Sequence, residues 1–326
     1  MLNTIKLCAI GALITLGISC SKTPELDVSA ASKKQIIATH AFDLNAPITA
    51  LSFTPNDVAP WLGRVIYIDK AGKLFSTDIE GRDPKPVGTG SYLDVFGLMQ
   101  IKLPGVFLAL NRKDGSLNAF IESDNEGRFS AMSTSTSSSI SAQTFCQTMR
   151  PQEDKALLLT NEGTIVTLDI SVVDQVAEIK NSGQVKAPKD TKICVFDDDT
   201  TYALSSHKGV HRLHAYKDKK WESQDLDFTP NSFASVTVGG TPSLAILGEK
   251  GVLLMDGQDM SAQYALSVAD GLSIRGVASA DFVSATSAPF GGAAFSEGVI
   301  VLSDKSTPRL VFISLGYMGD RLSAVQ

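Results

Sequence analysis

The chain has 326 residues, 43% of them hydrophobic, with 29 Lys+Arg against 35 Asp+Glu. That length supplies one large domain or two ordinary ones, each with a sizeable core. A formal net charge of −6 with no basic block argues against a nucleic-acid partner, and four cysteines with no CxxC pair argue against a disulfide scaffold or a structural zinc.

The first twenty residues form a unit of their own. Lys6 supplies a positive start, Leu7 to Ile18 is an apolar run of twelve, and Gly17-Ile18-Ser19 is a small-x-small cleavage pattern. A span of the bilayer core needs about 20 apolar residues, so this reads as a signal peptide over residues 1–19. Cys20 directly after the cut resembles the acylated cysteine of a bacterial lipoprotein, although Leu16 stands one position further away than the usual lipobox leucine. The expectation is a lipid-anchored protein of the bacterial cell envelope, on the outer membrane and facing the periplasm or the cell surface. Plain secretion with an incidental cysteine is the alternative.

Residues 20–38 are small and polar and are read as a lipidated tether. Export permits a disulfide between the two remaining cysteines, Cys146 and Cys194. Each sits in an apolar strand pattern, so two buried free thiols are expected.

From residue 63 one pattern recurs six times: an extended apolar run, a short polar turn and a second extended run. The copies are GRVIYIDKAGKLFSTDI, GVFLALNRKDGSLNAFI, DKALLLTNEGTIVTLDI, DTTYALSSHKGVHRLHAY, TPSLAILGEKGVLLMDG and GVIVLSDKSTPRLVFISL. Their turns centre on Gly72, Gly115, Gly163, Gly209, Gly251 and Thr307, in steps of 43, 48, 46, 42 and 56. Periods of about 40–50 residues, each with sequence for four strands, are those of propeller blades. The fold class expected is therefore all-β: a six-bladed β-propeller of four-stranded antiparallel blades over residues 39–326, acting as a monomer. Phe42-Asp43-Leu44 is the candidate strand for closing the ring against the last blade.

Continuous β-branched runs such as Val65-Ile66-Tyr67-Ile68 suggest strands covered on both faces. Residues 131–143 are Ser/Thr-rich and fit strand or loop alike. His207, His211 and His214 have the spacing of one helix face. In a hairpin, however, His211 and His214 point to opposite faces and His207 lies in the turn, which argues against zinc.

The order and wording of these hairpins resemble the β-propeller phytases, calcium-dependent phosphatases of six blades that release phosphate from myo-inositol hexakisphosphate. The matching stretches are Ile68 to Leu74 with Asp78 to Gly81, Tyr92 to Val95, Leu110 to Arg112, Val195 to Asp198, and Gly291 to Asp304. The resemblance spans about residues 45–315. It implies Lys70 and Arg112 as cations that hold substrate phosphate, and Asp94, Asp304, Glu162, Asp197 and Asp198 as metal-binding carboxylates for calcium. Hard Ca²⁺ takes six to eight oxygens, so acids must converge on it from several blades.

At other positions where the family carries acids, this chain has Ile48-Thr49-Ala50, Lys192-Ile193, Ser205-Ser206-His207, Phe233-Ala234 and Arg275. Two functions follow as expectations. One is a phytase-like phosphohydrolase with a reduced calcium set, acting on a phosphorylated small molecule. The other is a non-catalytic envelope propeller that binds a protein, a glycan or a phosphorylated ligand.

Overall fold

The computed structural model describes residues 31–99, 104–124, 126–136, 140–197, 200–249 and 251–323. The expected signal peptide over residues 1–19 and the expected lipidation site Cys20 lie outside them, as does Asp198. Among the described residues the chain is all-β apart from two single-turn 3₁₀ segments and one C-terminal helix.

Two strands come first, β1 (Ser32–Ile37) and β2 (His40–Asp43). Antiparallel meanders follow in chain order. The first is β3 (Ile48–Thr54), β4 (Arg64–Asp69), β5 (Leu74–Thr77) and β6 (Lys85–Val87). The second is β7 (Tyr92–Gly97), β8 (Val106–Asn111), β9 (Leu117–Glu122) and β10 (Phe129–Thr136). The third is β11 (Ala142–Thr148), β12 (Lys155–Thr160), β13 (Thr164–Val173) and β14 (Val176–Lys186). The fourth is β15 (Thr191–Asp197), β16 (Thr200–His207), β17 (Val210–Lys217) and β18 (Lys220–Leu226).

The fifth meander is β19 (Ser232–Val238), β20 (Thr241–Gly248), β21 (Gly251–Asp256) and β22 (Ala262–Ala269). The last has three strands of its own, β23 (Ala280–Thr286), β24 (Val299–Asp304) and β25 (Arg309–Ser314), and β2 pairs with β25 as its fourth. Helix α1 (Leu315–Ser323) buries Leu315, Met318 and Leu322 against the fifth and sixth meanders.

The hairpin turns explain the repeat. Gly72 and Gly209 hold φ of 82° and 80°, a left-handed conformation that costs glycine nothing and lets two strands reverse within a few residues. The continuous apolar runs follow from packing on both faces. In β4, Val65 and Tyr67 face a cluster shared with the sixth meander, including Phe290 and Phe312, while Ile66 and Ile68 face one shared with the second, including Val95 and Phe107. Each fully buried side chain of this kind contributes about 1.5–3 kcal/mol.

Each meander's first strand lies against the next: β3 on β7, β7 on β11, β11 on β15, β15 on β19, β19 on β23, and β23 back on β3. Small polar side chains stitch this inner ring. Gly97 N donates to Ser52 Oγ at 3.0 Å, Gln147 Nε2 to Val95 O at 3.0 Å, and Ser284 Oγ to Leu51 O at 3.3 Å.

Two readings from the sequence are corrected. Cys146 on β11 and Cys194 on β15 are fully buried as expected, but they form a disulfide with a Cα–Cα distance of 4.5 Å. Their separation of 48 residues is about one repeat step, so they occupy equivalent places on neighbouring first strands. Of the expected tether over residues 20–38, residues 20–30 lie outside the described residues, and Ser32 to Ile37 form a strand, paired in parallel with β22 as a fifth strand of that sheet. Ile36 drives this: it is 2% exposed within the cluster between the fifth and sixth meanders. The outer edges of the second and third meanders also join, through parallel pairing of β10 with β14.

Candidate functional site

The first strands point one way, as the parallel β11–β15 pairing shows, so the assembly has two ends. At the upper end the first strands start and the second strands of each meander turn into the third. At the lower end the first strands finish.

Lys70, Arg112, Glu162 and Asp304 all stand at upper-end hairpins, and Asp94 lies near the upper start of β7. The turns bearing Lys70 and Arg112 pack on one dipeptide: Tyr92 N donates to Gly72 O at 2.9 Å, and Arg112 N donates to Ser91 O at 2.8 Å. Lys70 and Arg112 are both exposed, and Arg112 Nη2 reaches Tyr92 O at 3.4 Å. The structure thus brings the two predicted phosphate-binding turns together. Glu162 is exposed on the third meander's turn, and its backbone carbonyl accepts from Lys186 Nζ at 2.5 Å.

The buried acids are committed elsewhere. Asp94, 8% exposed, accepts from Val95 N at 2.8 Å, Phe145 N at 2.7 Å and Thr144 Oγ1 at 2.5 Å, which ties the second meander to the third. Burial pushes its carboxyl up to about 6 against the pull of those three bonds. Asp304, 4% exposed, accepts from Ser306 N at 2.8 Å, Ser306 Oγ at 2.6 Å and Arg309 Nε at 2.9 Å. Burial pushes its carboxyl up, but the bonds from Ser306 and Arg309 outweigh that and hold it below the usual range. Both oxygens of each acid are therefore occupied.

Asp197, half-buried, ends β15 at the lower end, away from the other predicted ligands. Among the described residues no group of three or more His, Cys, Asp or Glu stands close enough to hold a metal ion.

Five first strands skip one residue in register near their upper start, leaving Thr49, Leu93, Gln143, Lys192 and Asp281 as bulges. Bulges re-aim side chains, and these five are chemically mixed, with Thr49 Oγ1 within 3.4 Å of the Ile68 and Asp69 carbonyls. Of the three clustered histidines, His214 is buried between Ser205 Oγ at 2.8 Å and Ser223 Oγ at 2.7 Å; burial, helped by Arg212, pushes it down to about 4. His207 bonds Asp190 at 2.7 Å beside the turn, and His211 faces Thr229.

The lower end carries a feature that sequence reading missed. Met149, just past β11, closes the centre. Its carbonyl accepts from Ser287 N at 2.6 Å and Thr286 Oγ1 at 3.2 Å, its N–H donates to Ser235 Oγ at 3.0 Å, and its sulfur accepts from Thr237 Oγ1 at 3.2 Å. Groups from the third, fifth and sixth meanders thus meet in one plug. Below it lies a bowl of about 680 Å³ walled by Arg150, Asp197, Tyr202, Lys217 and Glu297, with Gly239 and Gly240 lowering one side. Tyr202 is 2% exposed and donates to Gly257 O at 2.5 Å; burial, then nearby Asp197, pushes its hydroxyl up to about 12.

No protein-family model matches the chain, and no curated protein matches it. Among solved structures, the chain is similar to the β-propeller domain of Cps50 (Swd1) from Myceliophteria thermophila. The identity is 8% and the TM-score 0.48, over 82% of this chain and 83% of that one. An identity of that size carries nothing about activity.

Proposed function

We propose that the chain is an exported six-bladed β-propeller that serves as a binding or scaffold module of the cell envelope rather than as a calcium-dependent phosphatase. Six meanders whose first strands touch in a returning series, with β2 completing the last, support the blade count. The Cys146–Cys194 disulfide supports an oxidising compartment, in keeping with the signal at residues 1–19. Lipid anchoring at Cys20 belongs to the same reading, and metabolic labelling with palmitate, lost in Cys20→Ala, tests it.

The observation that carries the non-catalytic reading is the condition of Asp94 and Asp304. Calcium needs carboxylate oxygens free to face it, and these two spend all four on protein donors. Freeing them would break bonds that tie β7 to β11 and that order the β24–β25 turn. The phosphatase reading draws its support from Lys70 and Arg112, whose turns share Ser91-Tyr92.

Phosphate release from inositol hexakisphosphate, with calcium titrated in, separates the two. The expected result is no turnover and no calcium-induced rise in melting temperature. Calcium-dependent turnover abolished by Lys70→Ala and by Arg112→Ala overturns the binding-module reading.

A further inference from the structure

The lower bowl is preorganised, and most of its polar groups already have protein partners. Lys217 Nζ donates to the carbonyls of Gly257 and Gln258, Tyr202 donates to Gly257 O, and Thr237 donates to the Met149 sulfur. Two charges are left over. The Arg150 guanidinium and the Glu297 carboxylate are both exposed on the bowl wall, with no hydrogen-bond or ion-pair partner among the described residues. They come from the third and sixth meanders, which stand opposite one another around the ring of first strands, so the bowl lies between them.

The charge pattern selects a ligand class. A phosphorylated ligand meets Asp197 and Glu297, and a plain cation meets Arg150 and Lys217, so either suffers like-charge repulsion inside a concave wall. A molecule with a carboxylate at one end and an ammonium at the other satisfies both leftover groups. Guanidinium and carboxylate pair through two parallel N–H···O bonds, and an ammonium donates to a carboxylate. A volume of about 680 Å³ lies within the usual range for small-molecule sites and admits a chain of several small residues. The rigid floor at Met149 lowers the ordering cost of binding.

We propose that this bowl binds a short zwitterionic peptide, its C-terminal carboxylate on Arg150 and its N-terminal ammonium on Glu297. This rests on the binding-module reading, but the two fail separately: phosphate turnover would overturn that reading and leave the bowl untouched.

The test is calorimetric titration of the mature chain with trialanine, beside N-acetyl-trialanine amide, which lacks both charges. Trialanine is expected to bind saturably, with the doubly capped peptide about ten-fold weaker or worse. Arg150→Gln and Glu297→Gln are each expected to weaken trialanine about ten-fold, the scale of one lost charge-assisted bond. Acetylating only the N-terminus should abolish the effect of Glu297→Gln while preserving that of Arg150→Gln. Both substitutions are at exposed positions, and an unchanged circular dichroism spectrum and melting temperature check that they leave the fold intact. No saturable heat with trialanine, equal binding of the capped peptide, or affinities indifferent to both substitutions would each overturn the proposal.

Discussion

Replacing the buried disulfide by two alanines, Cys146→Ala/Cys194→Ala, perturbs the ring of first strands at one join. The crosslink closes a loop with a sequence separation of 48 residues. Loop-closure entropy for that length is worth about 4 kcal/mol at 25 °C, since the unfolded chain regains the freedom the bond denied it. Both cysteines are fully buried, so the loss of sulfur contacts adds to this rather than offsetting it. For a domain of this size the melting temperature should fall by on the order of 10 °C. Urea denaturation of wild type with and without reductant should show a difference similar to that between wild type and the double variant, and reductant should leave the variant unmoved. Intact mass after alkylation of denatured, unreduced protein checks the bond directly. Free thiols at Cys146 and Cys194 in that experiment, or a variant as stable as oxidised wild type, would refute the reasoning.

Two buried titrating groups oppose each other with pH. Asp94 is raised from 3.8 to about 6, so the native state holds a proton the unfolded chain has released, and its contribution is lost as pH rises through that window. His214 is lowered from 6.5 to about 4, so its contribution is present above 6.5 and lost as pH falls towards 4. Each amounts to roughly 3 kcal/mol, and they largely cancel between pH 4 and 6. Urea midpoints across that range should climb with pH in Asp94→Asn and decline with pH in His214→Asn; parallel curves for the two variants would contradict both shifts. Gly97→Ala should prevent folding or cost more than about 4 kcal/mol, because its Cβ would sit 1.8 Å from the Phe53 carbonyl oxygen, a backbone atom of the neighbouring first strand. Gly115→Ala, whose nearest neighbour is 3.8 Å away, should cost only the left-handed conformation, about 1–2 kcal/mol by chemical denaturation.

How much was legible follows from the range of each interaction. The hairpins were readable because a turn is made by adjacent residues, as Asp69 to Gly72 show, where Gly72 N donates to Asp69 O at 2.9 Å. The double-sided packing of Val65 to Ile68 was readable for the same reason, since neighbouring residues in a strand take opposite faces. Phe42-Asp43-Leu44 was recognisable as a closing strand because an early strand commonly completes the last repeat of a ring, and β2, which ends at Asp43, does pair with β25. Ser32 to Ile37 was not, because its composition is that of a linker and its burial rests on Ile36 meeting a cluster contributed by residues from Ala234 to Leu322.

The sequence by itself determined the repeating strand–turn–strand chemistry and its regular spacing, both of which are written over a few residues or one regular period. The tertiary structure decided what those repeats bring together. Asp94 and Asp304 read as metal ligands in the chain and are hydrogen-bonded struts in the fold, because their partners Phe145 and Arg309 approach only when meanders stack and hairpins close. It also decided that Cys146 meets Cys194, that Met149 plugs the centre, and that Arg150 and Glu297 share one bowl. Spacing along a chain sets which strands form, whereas burial and charge pairing depend on which strands end up side by side.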